Sequence, residues 1–293
     1  MPPMDRRQLL AAAGTAALCT AAAPARASVQ QDRPGRTPHT RFAVNVEMWF
    51  GDLPFLERIQ SAAALGFPAI EFWPWRGKDL DAIDELCRAQ GIEVGQFTAW
   101  GFSPGMNDPA NHDAFVAEIE ESCQVAKRLG AKCMTVVAGN NQQGMTKEEM
   151  HAHVITALKR AAPIAEKAGV TLILEPMNGR VDHPGHCLYG SADAIAICKA
   201  VGSAHVKIDW DLYHMQISEG DLCGHLREGY PWIGYVQLAD HPGRNEPGTG
   251  EIHYPRVLRQ LHELGYRGLV GLECSPLEGE RKAAERVALA DTW

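Results

Sequence analysis

Four oxygen-bearing side chains stand where short apolar runs end. Glu175 closes the run 170–174, Asp211 follows 205–208, Gln237 lies at the end of 233–238, and Glu273 closes 269–272. A single acid after such a run is ordinary: it caps a helix or pairs with a surface lysine. Four donors at four consecutive run ends are another matter if those ends lie side by side, because crowded carboxylates raise one another's pKa. A divalent cation held among them removes the repulsion. An all-oxygen donor set suits Mg²⁺ or Mn²⁺, with Co²⁺ as a third option, over a thiolate-type zinc site.

The elements that must place these donors recur along the chain. Eight apolar runs (42–46, 69–72, 92–97, 133–138, 170–174, 205–208, 233–238, 269–272) alternate with amphipathic stretches. The stretches end at Gly66, Gly91, Gly130, Gly169, Gly202, Gly229 and Gly265, as helices do where glycine takes positive φ. Leu80, Ile83, Leu86 and Cys87 share one helical face, and so do Phe115, Ile119, Cys123, Ala126 and Leu129. Thr146 and Glu149 form a capping box that opens a helix running toward Lys167. Strands read as buried on both faces, with helices between them, predict a single-domain α/β fold: a closed (β/α)₈ barrel over residues 41–293. An open doubly wound sheet is the competing architecture, and it is weakened because no G-x-G-x-x-G follows the first run. The segments after the runs carry the reactive residues, as the catalytic face of a barrel should. They include Trp73-Pro74-Trp75-Arg76, Glu175-Pro176-Met177-Asn178, Asp209-Trp210-Asp211-Leu212-Tyr213-His214 and Gln237-Leu238-Ala239-Asp240-His241.

The 293 residues carry a net charge of −8. An acidic body argues against nucleic acid as a partner. Residues 1–27 read as a targeting segment: Arg6-Arg7 precede an Ala-rich run, and Ala25-Arg26-Ala27 offers a cleavage site. The paired arginines suggest the twin-arginine route, so the protein is expected to be periplasmic or extracellular. The run is too short for a stable membrane span. Residues 28–40 are expected to be a flexible linker. Eight cysteines without a C-x-x-C pair, one of them (Cys19) in the targeting segment, read as buried free thiols.

From about Phe42 to Glu273 the chain resembles the xylose-isomerase-like TIM-barrel superfamily of sugar isomerases and epimerases, and within it the hydroxypyruvate-isomerase-like group. The most specific pieces are Asp211-Leu212-Tyr213-His214-Met215-Gln216, the stretch 237–252, and Asn45-Val46-Glu47-Met48-Trp49-Phe50. The resemblance implies that Glu175, Asp211, Gln237 and Glu273 bind one divalent metal. It also implies that Glu175 and Glu273 exchange the proton, and that His214 and Arg244 touch substrate oxygens. Two stretches depart from the group: Gln96-Phe97-Thr98-Ala99-Trp100 and Arg180-Val181-Asp182-His183-Pro184-Gly185-His186.

The implied activity is isomerisation or epimerisation of a small carbohydrate or hydroxy-keto acid through an enediolate. A lyase or hydrolase using the same metal on a keto-sugar or glycoside, and a non-catalytic sugar binder, are the alternatives. Several residues carry two readings. Asp182 and His183 either orient substrate or fix their own loop, and the first is preferred. Trp73, Trp75, Trp100 and Phe102 either stack on a sugar or cover the barrel mouth. Glu71, at a strand end, could support the metal ligands. Barrels of this kind form homo-oligomers in many cases, but no residue here points to a particular assembly.

Overall fold

The computed structural model describes residues 33–293. The expected targeting segment 1–27 lies outside the described residues. Eight strands close into an all-parallel barrel in chain order: β1 (Arg41–Asn45), β2 (Ala69–Pro74), β3 (Glu93–Trp100), β4 (Cys133–Val137), β5 (Thr171–Glu175), β6 (Val206–Asp211), β7 (Ile233–Leu238) and β8 (Leu269–Leu272), with β8 pairing back onto β1. Closure leaves no free sheet edge. The helices α1 (Phe55–Leu65), α2 (Leu80–Gln90), α3 (His112–Leu129), α4 (Lys147–Ala168), α5 (Ser191–Val201), α6 (Leu212–Ser218), α7 (Leu222–Gly229), α8 (Tyr254–Glu263) and α9 (Glu280–Ala290) complete the described fold.

Local sequence explains these elements. The stripe Phe115, Ile119, Cys123, Ala126 and Leu129 is buried on α3. Thr146 and Glu149 satisfy each other's backbone N–H at the start of α4, so two donors that a helix start leaves unpaired are both met. Gly66, Gly91, Gly130, Gly169 and Gly202 end α1 to α5 in the left-handed conformation. Gly229 does not belong with them. It is the last residue of α7, at φ −88°, and a Cβ there would meet the Trp210 ring at 2.3 Å. Close packing, not a helix stop, requires that glycine.

A second difference concerns the expected linker. Residues 33–40 are fastened to the barrel. Gly35 N–H donates to Leu65 O at 2.9 Å. The N–H groups of His39 and Thr40 donate to Asp291 Oδ2 at 2.8 and 3.0 Å, and His39 stacks on Trp293. These backbone donors find acceptors in the barrel, the buried Asp291 among them, so the stretch does not behave as polar tether. The seven described cysteines are all free, five of them buried. Among the described residues no helix is long and apolar enough to cross a membrane.

Candidate active site

The last residues of β5 and β6 are Glu175 and Asp211, Gln237 is the penultimate residue of β7, and Glu273 follows β8 directly. Register brings the ends together: Asp211 pairs opposite Gln237, and Gln237 opposite Gly271. Glycine at 271 makes room, since a Cβ there would lie 2.2 Å from Glu71 Oε2. All four expected ligands are buried. Ligand atoms of Glu175, Asp211, His214 and Glu273 lie within 4.8 Å of one another. Gln237 lines the same cavity, of about 340 Å³, together with Glu175, His214, Arg244, Glu273, Trp73 and Phe102.

Asp211 does cap α6, its Oδ1 accepting from Tyr213 N–H at 2.7 Å. Its Oδ2 has no partner, and Glu175 Oε1, Gln237 Oε1 and His214 Nε2 are also buried without one. His214 Nε2 lies 3.6 Å from Asp211 Oδ2 and 3.7 Å from Glu175 Oε1. Unpaired buried polar atoms are costly, and here they gather at one place. Burial, and after it the charge of Glu273, pushes Asp211 up to about 7. Burial and Glu273 also hold Glu175 well above the usual carboxylate range. A divalent cation fits this donor set, because it offers the buried oxygens a partner and offsets their repulsion.

Asn178 decides how His214 is used. Its side-chain oxygen accepts from the N–H groups of Val181 and Asp182, which leaves its amide nitrogen to donate. That nitrogen is 2.7 Å from His214 Nδ1 and 2.7 Å from Asp182 Oδ2. Nδ1 is therefore the acceptor, and in the neutral ring Nε2 carries the hydrogen. Burial keeps the ring neutral, well below its usual pKa, and Arg244 reinforces that. Although His214 stands among the acidic residues, it presents a donor, and the remaining set is all oxygen.

Gln237 is held from below. Its Nε2 donates to Glu71 Oε1 at 2.9 Å, and Asn45 Nδ2 reaches the same oxygen at 3.2 Å. Glu71 is fully buried and pushed up to about 7, by burial first and then by Glu273. Asp209 lies beside this layer, accepting from Thr135 Oγ1 at 3.0 Å, and burial holds it well above the usual range.

Arg244 Nη2 donates to Glu273 Oε2 at 2.7 Å, and its Nη1 lies 3.9 Å from Asp182 Oδ1. It is not a solvated charge: burial works against it, and Glu273, Asp211 and Glu175 outweigh that. Arg244 sits at φ +56°, a left-handed conformation uncommon outside glycine. Its loop is pinned on both sides, by Ser275 N–H donating to Arg244 O and by Asp240 accepting from Gly248 and Ile252 N–H. His183 stacks on Phe102 at 4.9 Å between ring centres and meets His214 edge-on. Trp73 lines the cavity and also donates from Nε1 to Glu273 Oε1 at 2.9 Å.

Glu175, Gln237, Glu273, His214, Arg244, His183, Trp73 and Phe102 line one cavity, with Asp211 among the clustered carboxylates, whereas Trp75 donates to Ser122 and, with Trp100, lines a separate surface pocket. Asn178 and Asp209 lie within the reactive segments that the sequence marks, but it assigns neither a role of its own. Asp209 had a signal: it is two residues before Asp211 on a strand, so the two share a face.

The family described as the xylose isomerase-like TIM barrel matches residues 59–290. Hydroxypyruvate isomerase of Escherichia coli (strain K12) is 32% identical over 80% of this chain and 93% of its own length. A 2-oxo-tetronate isomerase of Cupriavidus necator is 35% identical over 82% of this chain and 94% of its own. Among solved structures, an AP endonuclease, family 2, from Brucella melitensis superposes with a TM-score of 0.79 at 28% identity, covering 83% of this chain and 96% of that one. With strand order and sequence in agreement, the chain belongs to the xylose isomerase-like TIM barrel family.

Proposed function

We propose that this protein is a divalent-cation-dependent isomerase or epimerase of a small hydroxy-carbonyl compound, a sugar or a hydroxy-keto acid. One observation carries the reading: four buried polar atoms of Glu175, Asp211, Gln237 and His214 lack partners beside one cavity. The names of the isomerase relatives support the substrate class. Glu175, Asp211, Gln237 and Glu273 would hold the cation, with Mg²⁺ or Mn²⁺ favoured by oxygen donors. Once bound, the cation supplies Lewis-acid polarisation of the substrate carbonyl.

The protein's own groups do the rest. One of Glu175 and Glu273 takes the proton from the carbon beside the carbonyl, and the other returns one. Return to the neighbouring carbon isomerises; return to the same carbon from its other face epimerises. His214 offers its Nε2–H to the oxygen on which charge grows, and Arg244 offers a second donor. Asp182 and His183, with Trp73 and Phe102, would receive the remainder of the substrate.

The test has two stages. Metal analysis of the purified protein is expected to find one divalent cation per chain. Incubation in D₂O with a panel of ketoses and keto acids is then expected to place deuterium beside the carbonyl of at least one. A metal-loaded protein that exchanges no proton with any of them overturns the isomerase reading and turns attention to a lyase or hydrolase.

A further inference from the structure

Trp73 is the extra residue of a bulge. Phe72 pairs with Phe97 and Pro74 with Thr98, so two steps along β2 oppose one along β3. Bulges re-aim side chains, and they recur beside active sites. Here the result is an indole that is 39% exposed and yet reaches Glu273, across β1 and 200 positions away, with its N–H 2.9 Å from Oε1. An indole nitrogen donates only, so an acidic partner suits it. A ring that merely walled the cavity would not need that bond. The other oxygen of Glu273 is held by Arg244, the residue that also has a substrate to meet in the reaction proposed above.

We infer that Trp73 is a positioning residue for Glu273: its N–H fixes the carboxylate, and keeps fixing it when Arg244 turns to substrate. The inference rests on the proposed function for the role of Glu273, while the contact itself does not. Two groups share the task of holding Glu273, and only one of them is mobile in the reaction. Trp73 also lines the cavity, so the same residue holds the carboxylate and shapes the pocket.

Trp73→Phe keeps a ring and removes the donor, whereas Trp73→Ala removes both. Trp73→Phe is expected to weaken Mn²⁺ binding about tenfold by calorimetry and to lower kcat about tenfold with KM within about twofold, the scale of one lost hydrogen bond to a charged group. Trp73→Ala should add a rise in KM. Both should melt close to the parent protein, which checks the fold. A Trp73→Phe protein with parental Mn²⁺ affinity and kcat, with all loss confined to KM in Trp73→Ala, would make the residue a wall and nothing more. A third measurement needs neither cation nor substrate. In the indole N–H region of an NMR spectrum, Trp73→Phe identifies the Trp73 signal by its disappearance, and Glu273→Ala should move that signal. If it does not move, the contact is wrong. If the parent protein binds no Mn²⁺ while the signal does move, the proposed function fails and the contact stands.

Discussion

Gln237 turns an oxygen toward the cavity because Glu71 holds its nitrogen. An amide left to itself could present either end. Glu71→Gln lets the new amide donate to Gln237 Oε1 and reverse it. This variant is expected to weaken Mn²⁺ binding by about 10–100-fold, as loss of a partner behind a metal ligand commonly does, without lowering the stability of the cation-free protein. Unchanged affinity in calorimetry would remove Gln237 from the ligand set. Glu175, Asp211, Gln237 and Glu273 were legible in the sequence because each sits where an apolar run stops. The bond between Gln237 and Glu71 spans 166 positions and depends on closure of the barrel, so no local pattern announces it. The use of Asn178 to set the His214 tautomer was hidden for a different reason. Nothing in an Asn three residues after a glutamate says which of its two ends meets a ring.

At the scale of elements, apolar runs and glycine stops were enough to place all eight strands, since both signals are local and physical. Gly229 misled because glycine answers two needs, a left-handed turn and room for a neighbour, and the Trp210 ring that needs the room belongs to a different element, β6. The bulge in β2 was equally silent, because it exists only relative to β3. The segment between β7 and α8 is held by a buried anchor. Glu246, fully buried on it, accepts from Leu277 N–H at 2.9 Å and pairs with Arg286 at 2.5 Å. Breaking a fully buried pair costs roughly 3–5 kcal/mol. The Arg286 side chain is 31% exposed, so Glu246→Ala is expected to cost about 2 kcal/mol after allowing for solvent screening. Chemical denaturation measures that directly, and a loss below about 0.5 kcal/mol would mean the loop is not anchored there. Because Arg244 rides on this loop, kcat should fall in the same variant.

The whole molecule carries a stack of buried acids whose burial and mutual repulsion raise their pKa values. Glu71 and Asp211 both titrate at about 7 in the folded protein, raised by burial from 4.5 and 3.8. Between those values the folded state binds more protons than the unfolded one, so the stability of the cation-free protein falls as pH rises through that window. The buried histidines, whose folded pKa values are lowered, work the other way, and they do so below about pH 6.5. A cation needs its carboxylates ionised. The rise in melting temperature on adding Mn²⁺ should therefore be larger at about pH 8 than at about pH 6.5. A larger rise at the lower pH would be incompatible with Asp211 as a ligand. At this scale one expectation failed in part: residues 33–40 read as tether from their polar composition, and composition does not show that Asp291, more than 250 positions later, accepts their backbone N–H groups. That clasp sets a timetable for biosynthesis. A ribosome must have delivered β8 before the seam with β1 can pair, and the chain through Asp291 before the clasp beside that seam can close. Until then β1 waits with an open edge, and barrel closure becomes a late event in which chaperones and aggregation compete for the nascent protein.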